Sequence, residues 1–236
     1  MNALVLHNAR LILREPGPAI SRILSPLALM VLIRPLIRAS DPGPGGTVRA
    51  VLLPLVLFSM LGLSVVANAL LGERIWHTLD RLRATPLRAT SLVLGKCAIP
   101  LAILLLQQVV VLGVGIAAFG LRPQHALLLA AVGLSWAVTV LSLGAALAAV
   151  TTTPSAVSAI TDITSLISTA LSGALLPLAD LPGWARLIAP ISPGYWALRS
   201  FEAAFSGSVA PALQGCAVLL AMAAAATAFA ARRLWR

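Results

Sequence analysis

Long, continuous apolar stretches rich in Leu and Ala dominate this chain, and short segments between them gather the charge and the turn residues. A stretch such as 126–150 is too long for a buried strand and too apolar for a solvated helix. Only 10% of the 236 residues are charged and 59% are hydrophobic, where a soluble domain carries roughly 25% charged residues. That leaves too little polar cover for a surface in water, and far too much apolar content for a disordered chain. A transmembrane β-barrel would show short alternating strands instead. The expected fold class is an all-α polytopic membrane protein. A span needs about 20 residues to cross a core of about 30 Å, so a chain of this length holds roughly six with its loops.

Spans are expected at 19–37, 48–71, 91–119, 126–150, 155–176 and 209–231, within a single domain of residues 1–236. Residues 1–15 lack the pattern of a signal peptide. Wound as a helix, they put His7, Arg10 and Arg14 on one narrow face, with Leu4, Val5, Ala9, Ile12 and Leu13 over much of the rest. Such a helix lies in the membrane interface. Arg22, near the start of the first span, and Arg34 and Arg38, near its end, are placed to snorkel. A loop rich in Pro and Gly follows from Asp41 to Gly46. Thr153 reads as an N-cap with Pro154 at the first helical position. Residues 177–206 are apolar but broken by Pro177, Pro182, Pro190 and Pro193, so two short helices that dip into or lie on the outer leaflet are expected. Gly144 with Ala148, and Ala217 with Ala221, offer small faces for helix packing. Cys97 and Cys216 read as small buried hydrophobes.

The net charge of +10 comes from 17 Lys+Arg against 7 Asp+Glu. In a soluble protein it would point to nucleic acid. In a membrane protein, cationic flanks set orientation. With both termini inside, the inner segments hold Arg10, Arg14, Arg22, Arg74, Arg81, Arg83, Arg88, Lys96, Arg232, Arg233 and Arg236. The outer segments hold Arg34, Arg38, Arg49, Arg122, Arg186 and Arg199. The bias favours cytoplasmic termini in a multi-pass protein of the inner or plasma membrane. Nucleic acid is not an expected partner; membrane lipid is. Lys96 is the sole lysine, which reads as the codon bias of a GC-rich bacterium.

Motifs for chemistry are scarce. Gly95-Lys96 lacks the upstream glycine of a phosphate-cradling loop. His7, His77 and His125 are too far apart for a helical metal pair. Gly133-Leu134-Ser135-Trp136-Ala137 only half resembles a nucleophile elbow, and no span carries a histidine at mid-membrane to activate the serine. No catalytic residue, cofactor or metal is expected on the chain. The densest charge lies in 73–96. On a helical wheel Glu73, His77 and Asp80 share a face, Arg74 and Arg81 edge it, and Ile75, Leu79 and Leu82 lie opposite. Thr85-Pro86 ends the helix. A helix floating on lipid headgroups is one reading. Two acids on one face are poor partners for an anionic membrane, and a mixed-charge face suits a protein groove better.

The run Glu73-Arg74-Ile75-Trp76-His77-Thr78-Leu79-Asp80-Arg81-Leu82-Arg83-Ala84-Thr85-Pro86-Leu87, with Gly95-Lys96 beyond it, resembles the cytoplasmic signature of ATP-binding-cassette exporter permeases of the second type, in the daunorubicin-resistance-like group. A second match follows in Leu171-Ser172-Gly173-Ala174, Pro177-Leu178, Leu181-Pro182-Gly183-Trp184, Pro190 and Ser192-Pro193. His77 stands where the family has Gly, Ile75-Trp76 replaces a more acidic pair, and Ser192 replaces Asn before Pro193. The resemblance implies six spans and a dimer, formed with an identical protomer or a paralogue. It implies two copies of a separate ATPase subunit that carry the ATP and Mg. The helix at 73–85 would dock on the ATPase through Glu73, Arg74, His77, Thr78, Asp80, Arg81 and Arg83. The hairpin at 177–206, with Pro177, Pro182, Trp184, Pro190 and Pro193, would cap the outer side of the path. Hydrophobic drugs, lipids or polyketides are the implied cargo.

Asp162 stands inside the fifth expected span, where a carboxylate is a functional candidate by default. It either serves the transport path or snorkels and pairs near the cytoplasmic end. Thr161, Thr164, Ser165, Ser168 and Thr169 make this the most polar span, which fits a path lining or hydrogen bonding between helices. Phe58, Met60, Asn68, Asp162, Ser165 and Ser168 are the candidate path residues. Rival readings are a proton-coupled transporter using Asp162 and an intramembrane enzyme.

Overall fold

The computed structural model describes residues 17–75 and 89–234. Among the described residues the chain is a succession of helices without strands. In chain order α1 is Gly17–Ser40, α2 Pro44–Leu61, α3 Leu63–Ile75, α4 Ala89–Phe119, α5 Ala126–Val150 and α6 Pro154–Ser172. Two 3-10 turns, Leu178–Asp180 and Ala189–Ile191, flank the short α7, Gly183–Ile188. Helices α8, Pro193–Ser206, and α9, Val209–Leu234, complete the fold. Among the described residues, five stretches are long and apolar enough to cross a membrane: Ile20–Ser40, Gly45–Gly72, Cys97–Phe119, Ala126–Val150 and Val209–Arg233. The expected interfacial helix at 1–15 lies outside the described residues.

The stretch expected as one span at 48–71 is built from two helices. At Gly62 the N–H bonds back three residues to the Ser59 carbonyl, at 2.9 Å, so the helix tightens there. A Cβ at Gly62 would stand 3.0 Å from Leu104 of α4 and 3.6 Å from the Arg22 guanidinium of α1. Arg22 is therefore turned against this joint rather than only along the start of its helix.

The helix at 126–150 has its expected bounds. Thr153 caps α6 as its sequence predicts, accepting the Ala156 N–H at 3.3 Å with Pro154 in the first turn. The far end of α6 differs from expectation. It stops at Ser172 because Gly173 turns left-handed, at φ 89°, a conformation that costs glycine nothing. Leu178 then folds over Gly173. The broken segment that follows holds two short helices, α7 and the 14-residue α8, with a 3-10 turn before each.

Helix α5 is the hub, packing on α3, α4, α8 and α9. Trp136 is fully buried on it. A Cβ at Gly144 would come 2.8 Å from the Leu63 carbonyl, so α3 and α5 meet backbone to backbone, with Ala148 buried in the same seam. Small residues thus set this packing, as expected. On α9 the expected face is wrong: Ala217 and Ala221 are exposed. The packed face is Ala212, Cys216, Leu219 and Ala223, and Thr139 of α5 donates to the Leu219 carbonyl at 2.9 Å. Alanine recurs all round α9, so small-residue spacing there selects no single face. Cys216 is buried and Cys97 half-buried, both as free thiols.

Candidate functional site

The expected ATPase-docking residues fall at the end of α3 and beyond it. Glu73 and Arg74 belong to the last turn of α3. His77, Thr78, Asp80, Arg81 and Arg83 lie outside the described residues.

The candidate path residues do not share one surface. Met60 and Ser165 are fully buried and Ser168 nearly so, whereas Phe58 is half-buried and Asn68 and Asp162 are exposed. Helix α6 explains part of this division. Thr161, Ser165, Ser168, Thr169 and Ser172 line its buried face, and Ile160, Ile163, Leu166 and Ile167 are exposed. Asp162 stands where the hydroxyl face gives way to the apolar one. The hydroxyl face turns into the protomer, against α2, α3 and α8. Ser59 of α2 and Thr161, Ser165 and Thr169 of α6 are buried there without a hydrogen-bond partner among the described residues.

Ser168 carries a specific bond. Its hydroxyl lies 2.8 Å from that of Ser192 and accepts the Gly194 N–H at 3.1 Å. Ser192 does not cap α8 with its own side chain; Ser168 reaches across from α6 instead. A Cβ at Gly194 would stand 2.6 Å from the Ser168 hydroxyl and 2.7 Å from its carbonyl, so only glycine lets the two helices close this far. The family-like sequence around 171–174 has a parallel cause. The Ser172 hydroxyl donates to the Thr169 carbonyl at 2.7 Å and accepts the Ala174 N–H at 3.1 Å, closing the end of α6. Of the hairpin residues, Pro177 and Pro182 stand just before the first 3-10 turn and α7. Pro193 opens α8, Trp184 is exposed, and the Pro190 carbonyl accepts the Trp196 indole N–H at 2.8 Å.

Where the start of α2, the α4–α5 turn and the end of α8 converge, they line an open cavity of about 580 Å³. Arg49, Arg122 and Glu202 supply its charge, and Val48, Phe119, Leu121 and Phe205 its apolar wall. Arg49 bridges two acids, Glu202 on α8 at 3.3 Å and Asp41 in the loop at 3.5 Å. Burial pushes the Glu202 carboxyl above the ordinary carboxylate range, and the charge and hydrogen bond of Arg49, then the charge of Arg199, draw it partly back. Sequence reasoning counted Arg49 only as an outer charge and passed over Glu202. The available signal was an acid in a segment otherwise poor in charge, with Arg199 three residues before it, which needs a cation wherever it folds. The identity of that cation, 153 residues away, is not readable from spacing.

A family model for the ABC-2 type transporter matches residues 1–206. The chain belongs to the ABC-2 type transporter family. The match takes in both segments that carry the sequence resemblance and ends with α8. No curated protein matches the chain. Together with its apolar helices, membership makes this ABC-2 protein a membrane protein and a transporter's membrane domain. ABC-2 permeases normally work with ABC ATPase partners.

Proposed function

We propose that this ABC-2 protein is the permease subunit of an ATP-driven exporter in the inner or plasma membrane, moving a hydrophobic cargo outward by alternating access. The observation that carries the reading is the family match over residues 1–206, which includes the charged segment after α3. Helix α6 adds a further span to the five apolar stretches, the fifth in chain order. Its 19 residues rise about 28 Å, close to the thickness of the hydrocarbon core. Its hydroxyls and Asp162 dilute its hydropathy, and the hydroxyls turn toward neighbouring helices rather than lipid, where Ser168 finds partners on α8. Both termini face the cytoplasm, so residues 73–85 meet the ATPase and the cavity at the start of α2 faces outward. The working unit is a dimer with two ATPases. Its energy comes from the different affinity of ATP for the two states. Among cargoes, drug efflux is favoured over export of a lipid or polyketide.

Two measurements test this. A native pull-down of the full chain should recover an ABC ATPase. Recovery of none, with transport driven by a pH gradient alone, would favour the proton-coupled reading through Asp162. Charge reversal in E73K/D80K should leave ATP hydrolysis running while transport falls at least tenfold. Coupled transport unchanged in that double variant overturns the docking assignment.

A further inference from the structure

Beside the larger cavity, and sharing Phe119 with it, lies a cleft of about 280 Å³ between the end of α1 and the end of α4. Its lining is divided. Arg34 and Arg38 form the polar side, while Val31, Pro35 and Phe119 form the apolar one. The two arginines stand one helical turn apart, and like charges at that spacing repel. Among the described residues neither is paired with a carboxylate; the nearest acid in sequence, Asp41, is bound to Arg49. The Arg34 guanidinium carbon sits 3.9 Å over the centre of the Phe119 ring. That stacking holds the planar group at the cleft. Its Nε is buried without a hydrogen-bond partner among the described residues. Val31, Leu32 and Leu36 of α1 are exposed alongside.

We infer that this cleft is a specific seat for an anionic phospholipid. The phosphodiester accepts hydrogen bonds from Arg34 and Arg38, and its acyl carbons run down Val31 and the exposed strip of α1. Three observations select this occupant. Two cations without acids call for an anion, and guanidinium groups bind phosphate oxygens in pairs. The apolar strip calls for a tail, which inorganic phosphate lacks. The excess positive charge favours a phosphatidylglycerol over a zwitterionic lipid. Phe119 makes it a built site rather than two snorkelling side chains, because it fixes one guanidinium before the lipid arrives. The inference is independent of what the protein exports.

The test uses the full-length protein in a neutral detergent, with lipid binding read by native mass spectrometry. Dioleoyl phosphatidylglycerol should bind at one site at least tenfold more tightly than dioleoyl phosphatidylcholine. R34Q/R38Q should lose that preference, while R122Q, an arginine at the same end but outside the cleft, should keep it. F119L leaves α1 untouched and should weaken binding several-fold; it decides the matter where R34Q/R38Q fails to give a monodisperse helical protein. Equal affinity for the two lipids, or undiminished preference in R34Q/R38Q or F119L, overturns the seat. Displacement of the lipid by millimolar inorganic phosphate, with phosphate bound in its place, assigns the site to a free anion and overturns the lipid.

Discussion

Gly194 and Ser168 hold α6 and α8 together through contacts that tolerate no added atom. In G194A the new methyl meets the Ser168 hydroxyl and carbonyl. Overpacking of this kind costs about 1–3 kcal/mol, so thermal melting in detergent should move down. S168A removes the partner of the buried Gly194 N–H and leaves the Ser192 hydroxyl only the Ser168 carbonyl, which costs about 1–3 kcal/mol. The two changes should not add, because they strike one contact. Glu202 gives a pH signature at the same scale. Its carboxyl is raised in the fold, so the stability it contributes is complete below the ordinary carboxylate value and is lost as pH rises through the raised one. The melting temperature should fall across that interval in the native chain, and the fall should flatten in E202Q.

At the scale of elements, most of the fold was legible. Helix α5 was readable to the residue, because it is uniformly apolar and bounded by His125 and Thr151. The α6 cap was readable because Thr153-Pro154 stands just before a long apolar run, where threonine can accept a first-turn N–H and proline fits the first helical position. The end of α6 was not, since Gly173 stops it inside an apolar run that continues to Leu176. The packed side of α9 was not either, because its alanines lie on every face. Two substitutions check the observed side. A217L on the exposed face should change stability by no more than about 0.5 kcal/mol. L219A, fully buried against α5, should cost about 2–5 kcal/mol. The candidate site was less legible than the helices. The charged run after α3 announces itself by composition, whereas the Arg49–Glu202 pair and the Arg34–Phe119 stack join residues far apart in the chain.

Across the whole molecule, enclosure is uneven. In an 18-residue apolar window of each stretch, 72% of residues are buried in Gly45–Gly72, against 17% in Ile20–Ser40 and 28% in Val209–Arg233. The bundle is therefore organised around α2, α3 and α5, with α1 and α9 presenting most of their surface outward. Helix α6 is unlike both groups, for its inward face carries hydroxyls and its outward face isoleucine and leucine. That inversion bears on how the chain is made. A helix whose mean hydropathy is diluted by five buried Ser and Thr side chains has little drive to leave the translocation channel by itself. Only the three-residue turn Thr151–Thr153 separates it from α5, the most apolar neighbour it has. The two should enter the bilayer as a hairpin. A glycosylation reporter fused after Ser172 should stay on the outer side when α5 is deleted, because insertion of α6 is borrowed from the helix before it; a reporter that crosses to the cytoplasmic side shows that α6 inserts by itself.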